Sequence, residues 1–344
     1  MNMFVLFTSR IGHLAMNTEL FLRRKSIGLL DGVVYRIIDH FSGNSIANNQ
    51  LYKMIKRVID VKEITLEDFS NMVRKGHKDC GLISSMSNEF WEFDNIKPQL
   101  SFLPYEIKKG QDLLNKIGVG NKPYVCLHQR DALYLKKNAP KLDYSYHNYR
   151  DCSISSYLLA AEWLTSQGVY VIRMGEHVEE PLMSDNPMII DYASHFRSDF
   201  GDIFLPAHCL FFLGNTAGIF LVSSIFDVPS ACANFVPFDM TPMLRKDIYI
   251  PKNIELSVSE QLKFTIEHFE SGKIISFENS PEQILELTKE MFFTINKDYN
   301  PSFADFENQS IFRSLWNKIN RNYGYTCKVS DAFLRDLNIK GLLN

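Results

Sequence analysis

The sequence predicts an α/β protein of two doubly wound halves, each a parallel sheet covered by helices, and three observations carry this expectation. Apolar runs of strand length alternate with amphipathic runs of helix length through most of the chain. A stretch rich in breakers, residues 92–121 with Pro98, Pro104, Gly110, Gly118 and Gly120, interrupts that alternation. The chain has 344 residues, more than one compact core ordinarily holds. Strand–helix–strand connections within one sheet are right-handed crossovers, so the alternation implies parallel strands covered on both faces. The expected division is residues 1–120, residues 121–300, and a helical tail, 301–344, packing back towards the first half.

In the first half, residues 3–8 read as a buried strand and 14–25 as a helix, joined by an Arg10-Ile11-Gly12-His13 turn. Residues 27–38 are again strand-like, and 48–58 carry Leu51, Met54, Ile55 and Val58 at helical spacing. The second half opens at Pro123 with a strand over 124–129, a helix over 154–166 closed by Gly168, and strands over 169–174 and 188–191. A helix over 202–208, a strand over 210–213, a helix over 217–226 and a strand over 230–235 complete it. Ser280-Pro281-Glu282-Gln283 has the form of a helix start, with Ser280 as N-cap, Pro281 at the first helical position and Gln283 at the reciprocal capping position. Beyond it a helix is expected over 306–320, and no further strand.

Composition excludes several classes. A hydrophobic fraction of 45% with 22% charged residues belongs to a folded chain, far from the disordered regime. A net charge of -3 gives no general attraction for nucleic acid. Basic clusters at Arg23-Arg24-Lys25 and at Lys53, Lys56 and Arg57 read as solvated helix faces or as contacts to an anionic membrane surface. Six cysteines stand singly without a Cys-x-x-Cys pair, which fits a reducing cytosol. The apolar opening is seven residues long, too short for a signal-peptide core, and no run reaches the length of a membrane span. A cytoplasmic location, at most peripheral to the membrane face, is the expectation.

Four places can carry chemistry. The Arg10-Ile11-Gly12-His13 turn follows the first strand, and ligands of doubly wound sheets bind outside the carboxyl ends of strands. His13 there either takes a proton from a hydroxyl or serves as a helix-cap or packing residue. His128-Gln129-Arg130-Asp131 ends the first strand of the second half; Arg130 either binds a diphosphate through its planar fork or makes a surface ion pair. Tyr149-Arg150-Asp151-Cys152-Ser153 precedes a helix, where Asp151 or Ser153 is the cap and Arg150 an anion ligand or a rim ion pair, with Arg173 at the end of its own strand similar. Gly214-Asn215-Thr216-Ala217-Gly218 joins a strand to a helix, where backbone amides and a helix amino end favour phosphate. Asp191 and Tyr192 end another strand on the same rim and either read a ribose or base, or cap and pack. No Asp-x-Asp, Walker loop, His-Glu-x-x-His or Gly-x-Gly-x-x-Gly is present, so neither a metal site nor a dinucleotide site is expected.

With these residues in place the chain resembles a family of bacterial glycosyltransferases found among surface-polysaccharide biosynthesis genes. The resemblance runs from Arg10-Ile11-Gly12-His13-Leu14-Ala15 through His128-x-Arg130-Asp131, Tyr149-Arg150-Asp151 and Ile189-Ile190-Asp191-Tyr192 to Asp199-x-x-Asp202-Ile203 and Gly214-x-x-x-Gly218. Gly12-His13 is similar to the Gly-His turn of inverting GT-B enzymes, and His128-x-Arg130 to the motif of protein O-fucosyltransferases whose arginine contacts the donor diphosphate. Where Ser-Gly is expected in the phosphate turn this chain has Ala217-Gly218, leaving Thr216 as the hydroxyl.

The resemblance implies a GT-B fold, two Rossmann-like domains facing across a cleft. It implies metal-independent, inverting sugar transfer from a nucleotide-diphosphate sugar to a glycan or lipid-linked acceptor, in contact at most with the inner membrane surface. The catalytic residues would be His13 as base and Arg130 at the leaving diphosphate, and the donor would be held by His128, Arg150, Arg173, Asp191, Tyr192, Asn215, Thr216, Ala217 and Gly218. The competing expectations are a nucleotide-sugar epimerase or hydrolase on the same fold and a non-catalytic glycan-binding protein.

Overall fold

A computed structural model describes residues 1–38, 45–83, 91–138, 143–237, 241–254, 258–261, 263–272, 274–319 and 327–339. The alternation of the sequence builds two parallel sheets. The first holds β1 (Asn2–Val5), β2 (Val33–Ile38), β3 (Val61–Thr65) and β4 (Lys78–Leu82) in the order β3-β2-β1-β4. The second holds β5 (Tyr124–His128), β6 (Tyr170–Arg173), β7 (Ile189–Ile190), β8 (Phe212–Gly214), β9 (Ser230–Phe235), β10 (Ile248–Pro251) and β11 (Lys328–Val329) in the order β11-β10-β9-β8-β5-β6-β7. The described strand pairs within both sheets are parallel. The fold is α/β with two Rossmann-like halves facing across a cleft, the GT-B layout.

Strand order fixes where that cleft opens. The chain winds outward from β5 through β6 to β7, then returns to lay β8 on the other side of β5. The carboxyl ends of β5 and β8 therefore diverge at a switch point, the place where such sheets leave a crevice. β1 and β4 make the corresponding reversal in the first sheet.

Several expectations are corrected. The Ile11–Ser26 helix begins at Ile11, with Arg10 as N-cap, so Gly12 and His13 belong to its first turn and not to a preceding loop. Only Val33–Ile38 of the strand-like 27–38 run is a strand, and Val58 is exposed although Leu51, Met54 and Ile55 are buried. The helix placed at 217 begins at Phe220. The tail packs on the second half: Phe312, Trp316, Phe333, Leu334 and Leu337 join the core of the large sheet, and β11 extends that sheet beside β10. Its apolar residues find the larger uncovered face there, which a tail read as polar and aromatic did not disclose. The Ser280 capping box forms as the sequence indicates, over the Pro281–Ile295 helix.

The basic Arg23-Arg24-Lys25 run does not form a patch either. Arg23 is buried, Arg24 pairs with Glu92 at 2.5 Å, and Lys25 reaches Asp31 at 3.2 Å. Among the described residues no helix is long and apolar enough to cross a membrane.

The halves are joined by a shared core in which Leu14, Phe21 and Leu22 meet Ile203, Val222, Ile225 and Leu244. At its edge Gly12 and Gly218 touch backbone to backbone, and a β-carbon on Gly12 would lie 2.8 Å from the Gly218 Cα. Gly110 performs a similar service inside the Pro104–Lys116 helix, where a β-carbon would fall within the Phe204 ring. Gly110→Ala is therefore expected to destabilise by about 1–3 kcal/mol through overpacking, although alanine favours helix by about 1 kcal/mol. Urea unfolding checks this, and a variant as stable as the parent contradicts the packing described.

Candidate functional site

The cleft at the β5–β8 switch point has a volume of about 160 Å³ and is lined from both halves. Arg10, Ile11 and Gly12 come from the first; His128, Arg130, Asp131, His147, Arg150, Glu176, Arg197, Asp202, Thr216, Ala217 and Gly218 are among those from the second.

Three guanidiniums converge there. Arg130 leaves the end of β5, and its Nη1 pairs with Asp151. Burial, and next the charge of Arg150, pull its pKa down to about 10. Arg150 closes the 3-10 turn Ser145–Arg150, with Nε and Nη2 donating to the Tyr149 hydroxyl at 3.0 and 2.9 Å. Arg10 lies over the Tyr144 ring at 4.8 Å. Among the described residues neither Arg10 nor Arg150 has a carboxylate partner within ion-pair distance. Like charges crowded into a partly buried space with one acidic partner leave a positive field, and His147 registers it. Burial first, then Arg150, Arg130 and Arg10, lower its pKa to about 4, and the Glu270 carboxylate 3.6 Å from Nδ1 does not restore it.

Asn215 holds these loops in register. Fully buried, it accepts from the Arg130 backbone N–H at 2.9 Å and donates to the Arg150 carbonyl at 2.7 Å and to the Cys152 Sγ at 3.2 Å. It is a positioning residue beneath the cleft and does not line it. Thr216, Ala217 and Gly218 do line it, and the Thr216 hydroxyl oxygen accepts from the Val236 N–H at 3.1 Å while keeping its own proton to donate. The following Phe220–Ile225 helix is short and starts beyond Gly218, so the helix-end charge expected for this turn is not delivered there.

Other expected ligands lie elsewhere. Arg173 is fully buried at the end of β6, with Nη1 3.5 Å from Asp191 and Nη2 3.5 Å from Gln129, and does not reach the cleft. Asp191 caps the Tyr192–His195 helix, accepting from the Ser194 N–H at 3.3 Å and its hydroxyl at 2.8 Å. Tyr192 is buried, its hydroxyl donating to the Ser198 carbonyl at 3.0 Å. These three support the wall from behind.

The two histidines differ in what they offer. His128 Nδ1 lies 3.0 Å from the Met174 carbonyl, which can only accept, so the ring proton sits on Nδ1 and Nε2 is left as an acceptor. Burial lowers its pKa to about 4 and keeps it neutral. His13 is exposed and outside the cleft lining, its ring against Phe7 at 4.9 Å. The Asn17 amide nitrogen, committed to the Ile83 carbonyl at 2.8 Å, lies 3.4 Å from His13 Nδ1. An amide nitrogen only donates, so neutral His13 carries its proton on Nε2. Desolvation by its surroundings, and next the charge of Arg10, lower its pKa, and it stands at the lip outside the cleft lining.

Arg10, His147, Glu176, Arg197 and Asp202 are cleft residues that the sequence reasoning did not assign. Arg10 stood in a quoted motif beside the histidine that drew attention, and Asp202 in the Asp199-x-x-Asp202 motif; Glu176 and Arg197 carry no local signal. Among the described residues, no group of three or more His, Cys, Asp or Glu side chains is placed to hold a metal ion.

No protein-family model and no curated protein matches the chain. Among solved structures the chain is similar to the ADP-heptose LPS heptosyltransferase II of E. coli, with a TM-score of 0.47 and 11% identity, over 86% of this chain and 100% of that one.

Proposed function

We propose that the protein is a glycosyltransferase that takes a sugar from a nucleotide-diphosphate sugar and passes it to a surface-glycan acceptor, a polysaccharide or glycolipid precursor. One observation carries the reading: Arg10, Arg130 and Arg150 face a single cleft at the switch point, and among the described residues only Arg130 of the three has a carboxylate partner, Asp151. Such a site favours a ligand with two adjacent negative charges. When the bond from the sugar to the diphosphate breaks, charge grows on the departing oxygen, and guanidiniums already in place stabilise it without rearrangement. Arginines serve the electrostatic purpose of a cation, so no metal is part of the proposal. Thr216 adds a hydroxyl and Gly218 a backbone approach. His13 stands outside the cleft lining, so the proposal rests on the arginines and not on a base.

Proton linkage tests the reading. His147 is neutral at about pH 5.5 because burial and the arginine field hold its pKa near 4. A diphosphate that offsets this field raises that pKa towards the ordinary value, so binding takes up a fraction of a proton and tightens as pH falls. A nucleotide sugar is suitable because its diphosphate diester does not titrate there. Calorimetry in buffers of different ionisation enthalpy is expected to show uptake in the parent and none in His147→Gln. Binding without uptake in the parent contradicts this placement of the diphosphate.

A further inference from the structure

The cleft holds a second cluster of opposite character. Arg197 is met by three carboxylates, Asp202 Oδ2 on its Nε at 2.9 Å, and Asp199 Oδ1 and Glu176 Oε1 on its Nη2 at 3.1 and 3.7 Å. One guanidinium against three carboxylates leaves excess negative charge. Asp202 and Glu176 line the cleft, and Asp199 is turned to the Asn49 backbone N–H and side-chain amide at 2.9 and 2.8 Å. Asp202 is 3% exposed, and its Oδ1 has no hydrogen-bond partner among the described residues. A buried carboxylate oxygen without a donor is costly unless a donor arrives. Burial above all, with Asp199 and Glu176 adding to it and Arg197 opposing, raises the Asp202 pKa to about 7, so at pH 8 the group is mostly an anion in search of a donor. Tyr134, which feels both Arg10 and this cluster, lines the cleft as well.

The geometry points to a sugar subsite at Glu176 and Asp202 that selects a neutral or amino sugar and rejects a sugar acid. Hydroxyl or ammonium groups of the sugar donate to the two carboxylates while the diphosphate rests on the arginines; a hexuronic acid would set a third carboxylate against them. This rests on the nucleotide-sugar reading above and extends it to the class of sugar.

The test measures binding at pH 8 of UDP, GDP, ADP and dTDP, each free and as its hexose and hexuronic acid conjugates, to the full chain and to Glu176→Gln and Asp202→Asn. For a nucleotide that binds, the hexose conjugate is expected to bind about tenfold tighter than the hexuronic acid conjugate, a difference that a single unfavourable charge contact readily supplies. In Glu176→Gln that preference is expected to shrink several-fold while the affinity for the free diphosphate stays within about twofold. Asp202→Asn should act in the same direction; should it fail to fold, Glu176→Gln decides. Equal or reversed preference in the parent, or an unchanged preference in every folded variant, overturns the sugar subsite and leaves the diphosphate site standing. Binding of none of the four nucleotides or their conjugates overturns the nucleotide-sugar reading itself.

Discussion

Arg23→Ala is expected to cost about 3–5 kcal/mol of stability, the range for breaking a buried, hydrogen-bonded ion pair from one side. Arg23 sits on the Ile11–Ser26 helix with no exposed surface. Its Nε donates to Glu19 at 2.9 Å, and Nη1 donates to the carbonyls of Glu92, Phe93 and Ile96 at 3.3, 3.2 and 2.6 Å. Nη2 reaches into the second half, donating to the Ile225 carbonyl at 3.3 Å and to Asp227 Oδ1 at 3.0 Å. Truncation removes all of these donors at once and leaves the Glu19 carboxyl buried, where burial already raises its pKa to about 7 in the presence of the arginine. Because Ile225 and Asp227 belong to the far side, the variant should also loosen the halves and expose the Leu14–Val222 core between them. Urea unfolding with hydrogen exchange on the Phe220–Ile225 helix reads both effects. A loss below about 1 kcal/mol would show that the network carries little of the contact between halves.

Arg130→Ala is expected to raise the barrier to sugar transfer by about 2–4 kcal/mol, the usual cost of removing one donor aimed at developing charge. Its stability should change less than in Arg23→Ala, because among the described residues the one ion pair lost is that with Asp151, which keeps some contact with solvent, whereas Arg23 has none. The contrast separates a ligand-binding arginine from a structural one: Arg23 and Arg130 are both largely buried, yet only Arg130 lines the cleft. Turnover and unfolding measured on the same preparation check it. A folded Arg130→Ala enzyme with parental turnover removes Arg130 from the chemistry.

The layers and the order of many elements are legible in the sequence because apolar runs mark strands covered on both faces, as in β5, β8 and β9. The reading misses β10, Ile248–Pro251, although it is buried inside the sheet, and it misses polar edges. β3, Val61-Lys62-Glu63-Ile64-Thr65, is half exposed and reads as polar, and β11 is two residues in a tail whose apolar positions are spread among charges. At the site, Arg130 is found in the cleft because strand ends at a switch point open onto a crevice, and Arg150 because it closes the Ser145–Arg150 turn just before a helix on the same side. Arg173, Asp191, Tyr192 and Asn215 stand at equally suitable strand ends, yet are turned under the cleft floor. A strand end gives position, and the direction of the side chain follows from packing that local sequence does not encode. Arg10 shows the converse, since a residue at a helix N-cap enters the site only because the other half brings Arg130 and Arg150 to meet it.

The most direct measurement is a calorimetric titration of the chain with a nucleoside, its diphosphate and its diphosphate sugar, in buffer containing a chelator. Electrostatic recognition by three arginines makes the diphosphate the dominant part of the ligand, weakened by salt and by Arg10→Gln, Arg130→Gln or Arg150→Gln in turn. The expected result is saturable binding of the diphosphate and of its sugar without added metal, at least about a hundredfold tighter than the nucleoside, with each arginine variant losing several-fold. Equal affinity for nucleoside and diphosphate, or binding that appears only when magnesium or manganese is restored, would contradict the account.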